Sequence, residues 1–287
     1  MDNNQTNTFK NNIISIYADM GQAWLRQLPN LVAYLANKWE LTNLSVFDNL
    51  SHNYVLSGFK NNQPIVLKLG LGYAALHNEA IALEYFANHG VVKVLAKEEG
   101  ALLIQQAVPG TSIKQIQEIG NTEKIKICCE LTARLHRSPT KHSHTFPKIS
   151  DWLKTLDKDW QIPAQYLKLA RKLRNKLLAS TDPLILLHGD LHHGNILQHE
   201  DGWLIIDPKG VIGYPINETW AYVMNMEKDT KFIAEFFNYD LNTVRSWYFV
   251  HLILASCWCL EDNLAPDKFM NLAIKAYELF NFTAHEQ

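Results

Sequence analysis

The sequence predicts an α+β protein in two parts, a small antiparallel sheet followed by a helix-rich remainder. Five short β-branched and aromatic runs, separated by polar turns, fall between residues 44 and 105 and enclose one helical run. After Pro109-Gly110 helical periodicity dominates. A length of 287 residues also suits about two domains.

Taken in order, residues 12–28 have apolar positions at helical spacing. Pro29 interrupts the pattern and suits the first turn of a second helix through Tyr34 to Trp39. Leu44–Phe47, Tyr54–Gly58 and Pro64–Leu69 read as strands, with Asn61-Asn62 turning between the last two. Residues 78–88 read as a helix, and Val91–Leu95 and Ala101–Gln105 as two more strands. Consecutive strands on short turns imply a five-stranded antiparallel sheet with one helix against it. Helices are expected at 122–137, 150–157, 163–179, 217–238, 241–262 and 266–281. A β island, Leu184–Leu187, Asn195–Gln198 and Trp203–Asp207, sits among them. The expected division is 1–107 and 108–287, with a hinge near 105–110 and a ligand cleft between the lobes.

Composition narrows the classes. Hydrophobic residues make up 47% and charged residues 20%, which excludes disorder and fibres. A net charge of −2 argues against nucleic acid as a partner. The run Trp247–Leu260 is shorter than the ~20 residues a bilayer needs, so it reads as a buried helix. The polar N-terminus reads as neither signal peptide nor membrane anchor. Cys128, Cys129, Cys257 and Cys259 lie in helical patterns without C-x-x-C spacing, as buried thiols of a reducing, cytoplasmic compartment would. Charge is uneven: residues 182–262 hold twelve Asp and Glu against four Lys and Arg, a field that serves either solubility or the attraction of a cationic ligand and by itself does not choose between them.

The chemistry concentrates in Leu187–Asn195 (LHGDLHHGN) and in Ile205-Ile206-Asp207. Asp190, Asn195 and Asp207 offer two carboxylates and an amide oxygen at the mouth of a hairpin, a hard-oxygen set suited to Mg²⁺ and phosphates. Phosphoryl transfer uses these parts: an Asp to take the proton of the attacking hydroxyl, and an Asn and a second Asp to hold metal. The spacing H-x-D-x-x-x-x-N with a later strand-terminal Asp is specific. A zinc site of His188, Asp190, His192 and His193 is the competing reading, but no H-E-x-x-H helix accompanies it. His188 is expected to brace the loop.

A kinase needs more parts. Lys68 stands alone in the apolar strand Ile65–Leu69 and needs a partner charge. Glu79, in the next helix, is the expected partner, with Glu84 the second choice. The stretch Asp48–Asn53 has no glycine, so backbone amides and the Ser51 hydroxyl are left to cover phosphates. Backbone groups of Gln105, Gln106, Ala107 and Val108 are expected to meet adenine.

These residues resemble the aminoglycoside phosphotransferase family, which has the protein-kinase-like fold, and the streptomycin 6-kinase and hydroxyurea phosphotransferase branch within it. The same branch is resembled by Gly202–Gly210 (GWLIIDPKG), Gly21–Leu25, Leu28-Pro29 with Trp39, Asn78-Glu79-Ala80, and Gly100–Leu103 leading to Pro109-Gly110. Coverage runs from about residue 20 to about 225. The resemblance implies transfer of the ATP γ-phosphoryl group to a hydroxyl of a streptomycin-type aminoglycoside. Asp190 then takes the base position, Asn195 and Asp207 the magnesium positions, and Lys68 with Glu79 the nucleotide-phosphate pair. Lys209, following the magnesium aspartate, is a feature of the branch. Substrate guanidinium groups would pair with carboxylates, of which Glu218, Asp159, Glu261 and Asp262 are candidates. Where relatives often carry Asp, this chain has Glu218 in Ile216–Ala221. Alternative readings are a housekeeping kinase of a sugar, amino sugar or amino alcohol, and a nucleotide-binding pseudokinase scaffold. The pseudokinase is disfavoured because Lys68, Asp190, Asn195 and Asp207 are all present.

Overall fold

The computed structural model describes residues 3–48, 50–138 and 146–282. It divides into two compact units, Met1–Ser112 with Leu197–Asp207, and Ile113–Ile196 with Pro208–Gln287.

The first unit opens with α1 (Asn3–Trp39), which breaks at Ala18 (φ 47°, ψ −125°) and runs on through Pro29. The expected interruption at Pro29 is therefore misplaced. Beyond the break the chain doubles back closely: a Cβ at Gly21 would lie 2.6 Å from the Ile13 carbonyl oxygen. Trp24, Leu28, Leu35 and Trp39 are buried on both sides of Pro29, and that anchoring carries the helix past its missing amide. The strands β1 (Leu41–Val46), β2 (Tyr54–Lys60) and β3 (Gln63–Leu69) precede α2 (Tyr73–Tyr85), and β4 (Val94–Glu98) and β5 (Ala101–Gln105) follow it. They form an antiparallel sheet in the order β1-β2-β3-β5-β4. Asn61 and Asn62 both have positive φ, the two-residue turn whose twist suits the β2–β3 hairpin. Side-chain alternation gives β3 two characters. Leu67 and Leu69 join the cluster of Phe9, Trp24 and Trp39 from α1, whereas Lys68 points to the other face. α2 begins at Tyr73, a turn earlier than expected, because Ala74-Ala75-Leu76 continues the helical run.

A short strand, β6 (Pro109–Ser112), leads into the second unit. There α3 (Asn121–Leu135), α4 (Ile149–Trp152) and α5 (Ala164–Leu178) precede β7 (Ile185–Leu187). Next come β8 (Ile196–His199) and β9 (Gly202–Ile205), which form a three-stranded sheet with β6 and group with the first unit. β7 pairs instead with β10 (Val211–Gly213), so the expected β island is two separate sheets. The expected helix 217–238 is likewise two pieces, a 3₁₀ turn Pro215–Tyr222 and α6 (Met226–Phe237). Asn225 caps α6 by accepting from the Lys228 amide, and the Asp229 carboxylate takes the amides of Met224 and Asn225. α7 (Leu241–Glu261) is buried without interruption from Ser246 to Cys257, as its apolar run requires, and packs against α5, α6 and α8 (Asp267–Leu279).

Candidate functional site

The first unit supplies a buried cation with two carboxylates. Lys68 is 5% exposed, and its Nζ lies 2.7 and 2.8 Å from the two Glu79 oxygens and 2.8 Å from Asp207 Oδ1. Burial pulls the Lys68 pKa down, but the charges of Glu79 and Asp207 outweigh it and the net shift is upward. The lysine stays charged because it is doubly paired. Glu84 turns away and pairs with Lys97. Asp207 arrives by way of β9, whose Ile205 exchanges backbone hydrogen bonds with residues 90–92. Asp207 itself sits at φ +61°, a region Asp tolerates.

Ser51 is exposed, and its carbonyl accepts from the Asn12 side chain, which ties this stretch to α1. Its neighbour Asn49, in the stretch expected to cover phosphates, lies outside the described residues. Past β5, the amides of Gln105, Gln106 and Val108 are taken by Lys93 O, Pro64 O and His199 Nδ1. The Gln105 side chain is occupied too, by the Lys93 amide and His199. Ala107 is buried, and its amide has no partner among the described residues.

The second unit carries the Asp190 loop. Lys209 and Gly210 donate to the His188 carbonyl, and the Asp190 amide donates to His188 Nδ1 at 3.2 Å. His188, expected to brace the loop, is fully buried. The Asp190 carbonyl accepts from the His192 amide and, at 2.9 Å, from Asn195 Nδ2. With its nitrogen committed to the loop, Asn195 has its oxygen left for a cation. Lys209 Nζ lies 4.0 Å from Asp190 Oδ2. Gly189 adopts φ +83°, and a Cβ there would meet Val211 at 2.8 Å and Trp152 at 3.0 Å. Only glycine fits both the backbone and the space.

Glu218 was expected to face a substrate, and its placement differs. It is 2% exposed, and its two oxygens accept from the amides of His188 (2.6 Å) and Gly189 (3.0 Å). A carboxylate held by two backbone amides in the core orients the loop and does not meet a ligand. Burial pushes its pKa up to about 7, partly offset by the amides of Gly189 and His188, with the Asp190 charge pushing it further up. No local sequence signal marks this inward orientation, since Glu218 falls at the start of the expected helix 217–238. The other candidates are exposed: Asp159 and Asp262 at the surface, and Glu261 paired with Lys158 at 2.6 Å.

The zinc reading finds no support. Among the described residues no group of three or more His, Cys, Asp or Glu is placed to hold a metal. His192 Nδ1 accepts from the Gly194 amide, and His193 is buried, with its pKa lowered to about 4 by burial and then by Lys124, His192 and Lys114. Asn195 and Asp207, each in its own unit, carry the hard-oxygen donor types that suit an Mg²⁺-sized cation.

Comparison with known proteins gives the family and the fold. The family of aminoglycoside/hydroxyurea antibiotic resistance kinases matches residues 38–246. A streptomycin 3''-kinase from Klebsiella pneumoniae is 29% identical over 61% of this chain and 66% of that enzyme, just under two thirds of its length. A streptomycin 6-kinase from Streptomyces glaucescens is 24% identical over 87% of this chain and 88% of its own. A thermostable mutant of aminoglycoside phosphotransferase APH(4)-Ia, solved with ADP and hygromycin B, superposes with a TM-score of 0.64 at 12% identity, covering 85% of this chain and 97% of that one. The fold is thus that of the aminoglycoside phosphotransferases, and the chain belongs to the aminoglycoside/hydroxyurea antibiotic resistance kinase family.

Proposed function

We propose that this chain transfers the γ-phosphoryl group of ATP to a hydroxyl of a streptomycin-type aminoglycoside. The observation that carries the reading is Lys68, a buried cation bound at once to Glu79 and Asp207. A buried ion cluster of this kind adds little stability for its own sake, which supports a binding role, and nucleotide phosphates are the fitting anion. In this reading Lys68 holds the α- and β-phosphates, and the Ala107 amide meets adenine. In the same reading Ser51 covers the phosphates. Asn195 and Asp207 hold Mg²⁺, which when bound neutralises phosphate charge. Asp190 accepts the proton of the attacking hydroxyl, and Lys209 sits by that carboxylate to attract the transferring group. Transfer is direct, without a phosphoenzyme. Among the described residues no helix is long and apolar enough to cross a membrane, and all four cysteines are unpaired thiols. We place the activity in the reducing cytoplasm on the strength of those thiols.

ADP release with ATP and Mg²⁺ against a hydroxyl panel led by streptomycin tests the reading. Asp190→Asn is expected to lower turnover at least about 100-fold while the protein still melts cooperatively. Near-full activity in that variant overturns the assignment. Turnover on another alcohol alone keeps the kinase and discards the antibiotic.

A further inference from the structure

Beside the Asp190 loop lie two tryptophans to which the motifs assign nothing. Trp152 closes α4, and its ring edge lies against Gly189, the residue before Asp190. Trp258 meets Trp152 edge to face, with ring centroids 5.8 Å apart at 80°. Both tryptophans are only partly buried. One turn beyond Trp258, α7 ends in Glu261 and Asp262, both exposed. The last turn of this helix has no basic residue, so its negative end is uncompensated from within. The same surface already holds one cation: Lys158 Nζ pairs with Glu261 at 2.6 Å and lies 5.7 Å from the Trp160 ring centroid. Asp159 and Asp262 make no ion pair among the described residues.

Taking the chain as an acceptor kinase, as above, we propose that Trp152 and Trp258 form the wall on which the acceptor rests, with Asp262 and the end of α7 as its anionic rim. The group that fits is a planar cation, a guanidinium in preference to an ammonium. A guanidinium is weakly hydrated and flat, so it stacks on an indole while its in-plane N–H groups reach a carboxylate. An ammonium centre satisfies the charge but loses the stack. Because Trp152 abuts Gly189, an acceptor resting on this wall carries its hydroxyls beside Asp190. Trp152 and Trp258 therefore set specificity, and Asp190 performs the chemistry.

The test is acceptor binding by calorimetry in the presence of AMP-PNP, together with steady-state KM and kcat, on the full-length protein. The probes are streptomycin, hygromycin B and a neutral sugar alcohol. Trp258→Leu is expected to weaken streptomycin about tenfold, an effect on KM exceeding that on kcat, while Trp258→Phe retains most of the affinity. Asp262→Asn, an exposed change that cannot unfold the helix core, is expected to weaken streptomycin severalfold and to spare the neutral probe. Wild-type protein is expected to prefer streptomycin over hygromycin B, with the gap closing in Trp258→Leu. Streptomycin binding unchanged in both Trp258→Leu and Asp262→Asn overturns the wall, as does wild-type protein that binds none of the probes. Trp258-dependent binding without ADP release sustains the wall and overturns the kinase reading. Turnover indifferent to both residues does the reverse.

Discussion

A carboxylate removed from water ordinarily takes up a proton or finds a cation; Glu218 instead receives two successive backbone amides, those of His188 and Gly189. The ionised form can accept at both oxygens, whereas the acid has one oxygen converted to a donor and must loosen one amide. Its pKa, pushed up to about 7, sets where that happens. Because the folded value lies above the usual carboxylate value, stability from this group is fully present below about 4.5 and is lost as pH rises through about 7. Activity runs the other way, since the loop is held best by the ionised form. Asp190 raises the Glu218 pKa, and no cation figures among the influences on it. Glu218→Gln, which presents an N–H to one amide at every pH, is expected to lower kcat about 100-fold. It should also flatten the acid limb of the kcat profile near pH 7 and leave the melting temperature at pH 8 equal or higher. A Glu218→Gln enzyme with the wild-type acid limb would show that another group controls the loop.

At the scale of elements, the pairing of β3 with α2 is the testable unit. Lys68 and Glu79 are both more than nine-tenths buried, and their ion pair helps make each charge tolerable. Glu79→Ala leaves Lys68 with Asp207 alone and is expected to cost roughly 3 kcal/mol in urea unfolding. The double change Lys68→Met with Glu79→Leu removes both charges and is expected to recover most of that stability while leaving ADP release undetectable. Recovery of activity as well would separate this pair from the nucleotide. The pair was legible in the sequence because a lone lysine in Ile65–Leu69 demands a carboxylate, and Glu79 was within reach of the next helix. The sheet was legible for a similar reason: β-branched runs bounded by Asn61-Asn62 and Gly100 leave few other pairings. What was not legible depends on contacts distant in sequence. The break at Ala18 has neither Gly nor Pro at its site and goes with the close approach of Gly21 to Ile13. The split of 217–238 turns on Asp229 capping the chain behind it, and the inward turn of Glu218 depends on a loop thirty residues upstream.

For the whole molecule, the acidic window 182–262 looks in sequence like a single field, yet much of it is spent on structure. Glu218 holds the Asp190 loop, Asp229 and Asp240 cap helices, Asp182 bonds Ser180, and Asp207 binds Lys68. The exposed remainder includes Glu261 and Asp262 at the end of α7, and under the proposed function it is this surface charge that a cationic acceptor would meet first. Exposed charges act over about 10 Å at 0.1 M salt and are screened beyond it, so apart from the direct contact proposed for Asp262 their effect belongs to encounter. Buried charges such as Glu218 are hardly screened. Raising salt from about 20 to about 200 mM is therefore expected to lower kcat/KM for streptomycin about threefold while kcat changes little. A neutral acceptor should show no such slope. Neutralising both Glu261→Gln and Asp262→Asn should flatten the slope for streptomycin, since the residues occupied within the fold cannot replace them at the surface. A salt dependence that survives the double change would place the steering charge elsewhere on the molecule. One that falls on kcat instead of kcat/KM would assign it to the transfer step.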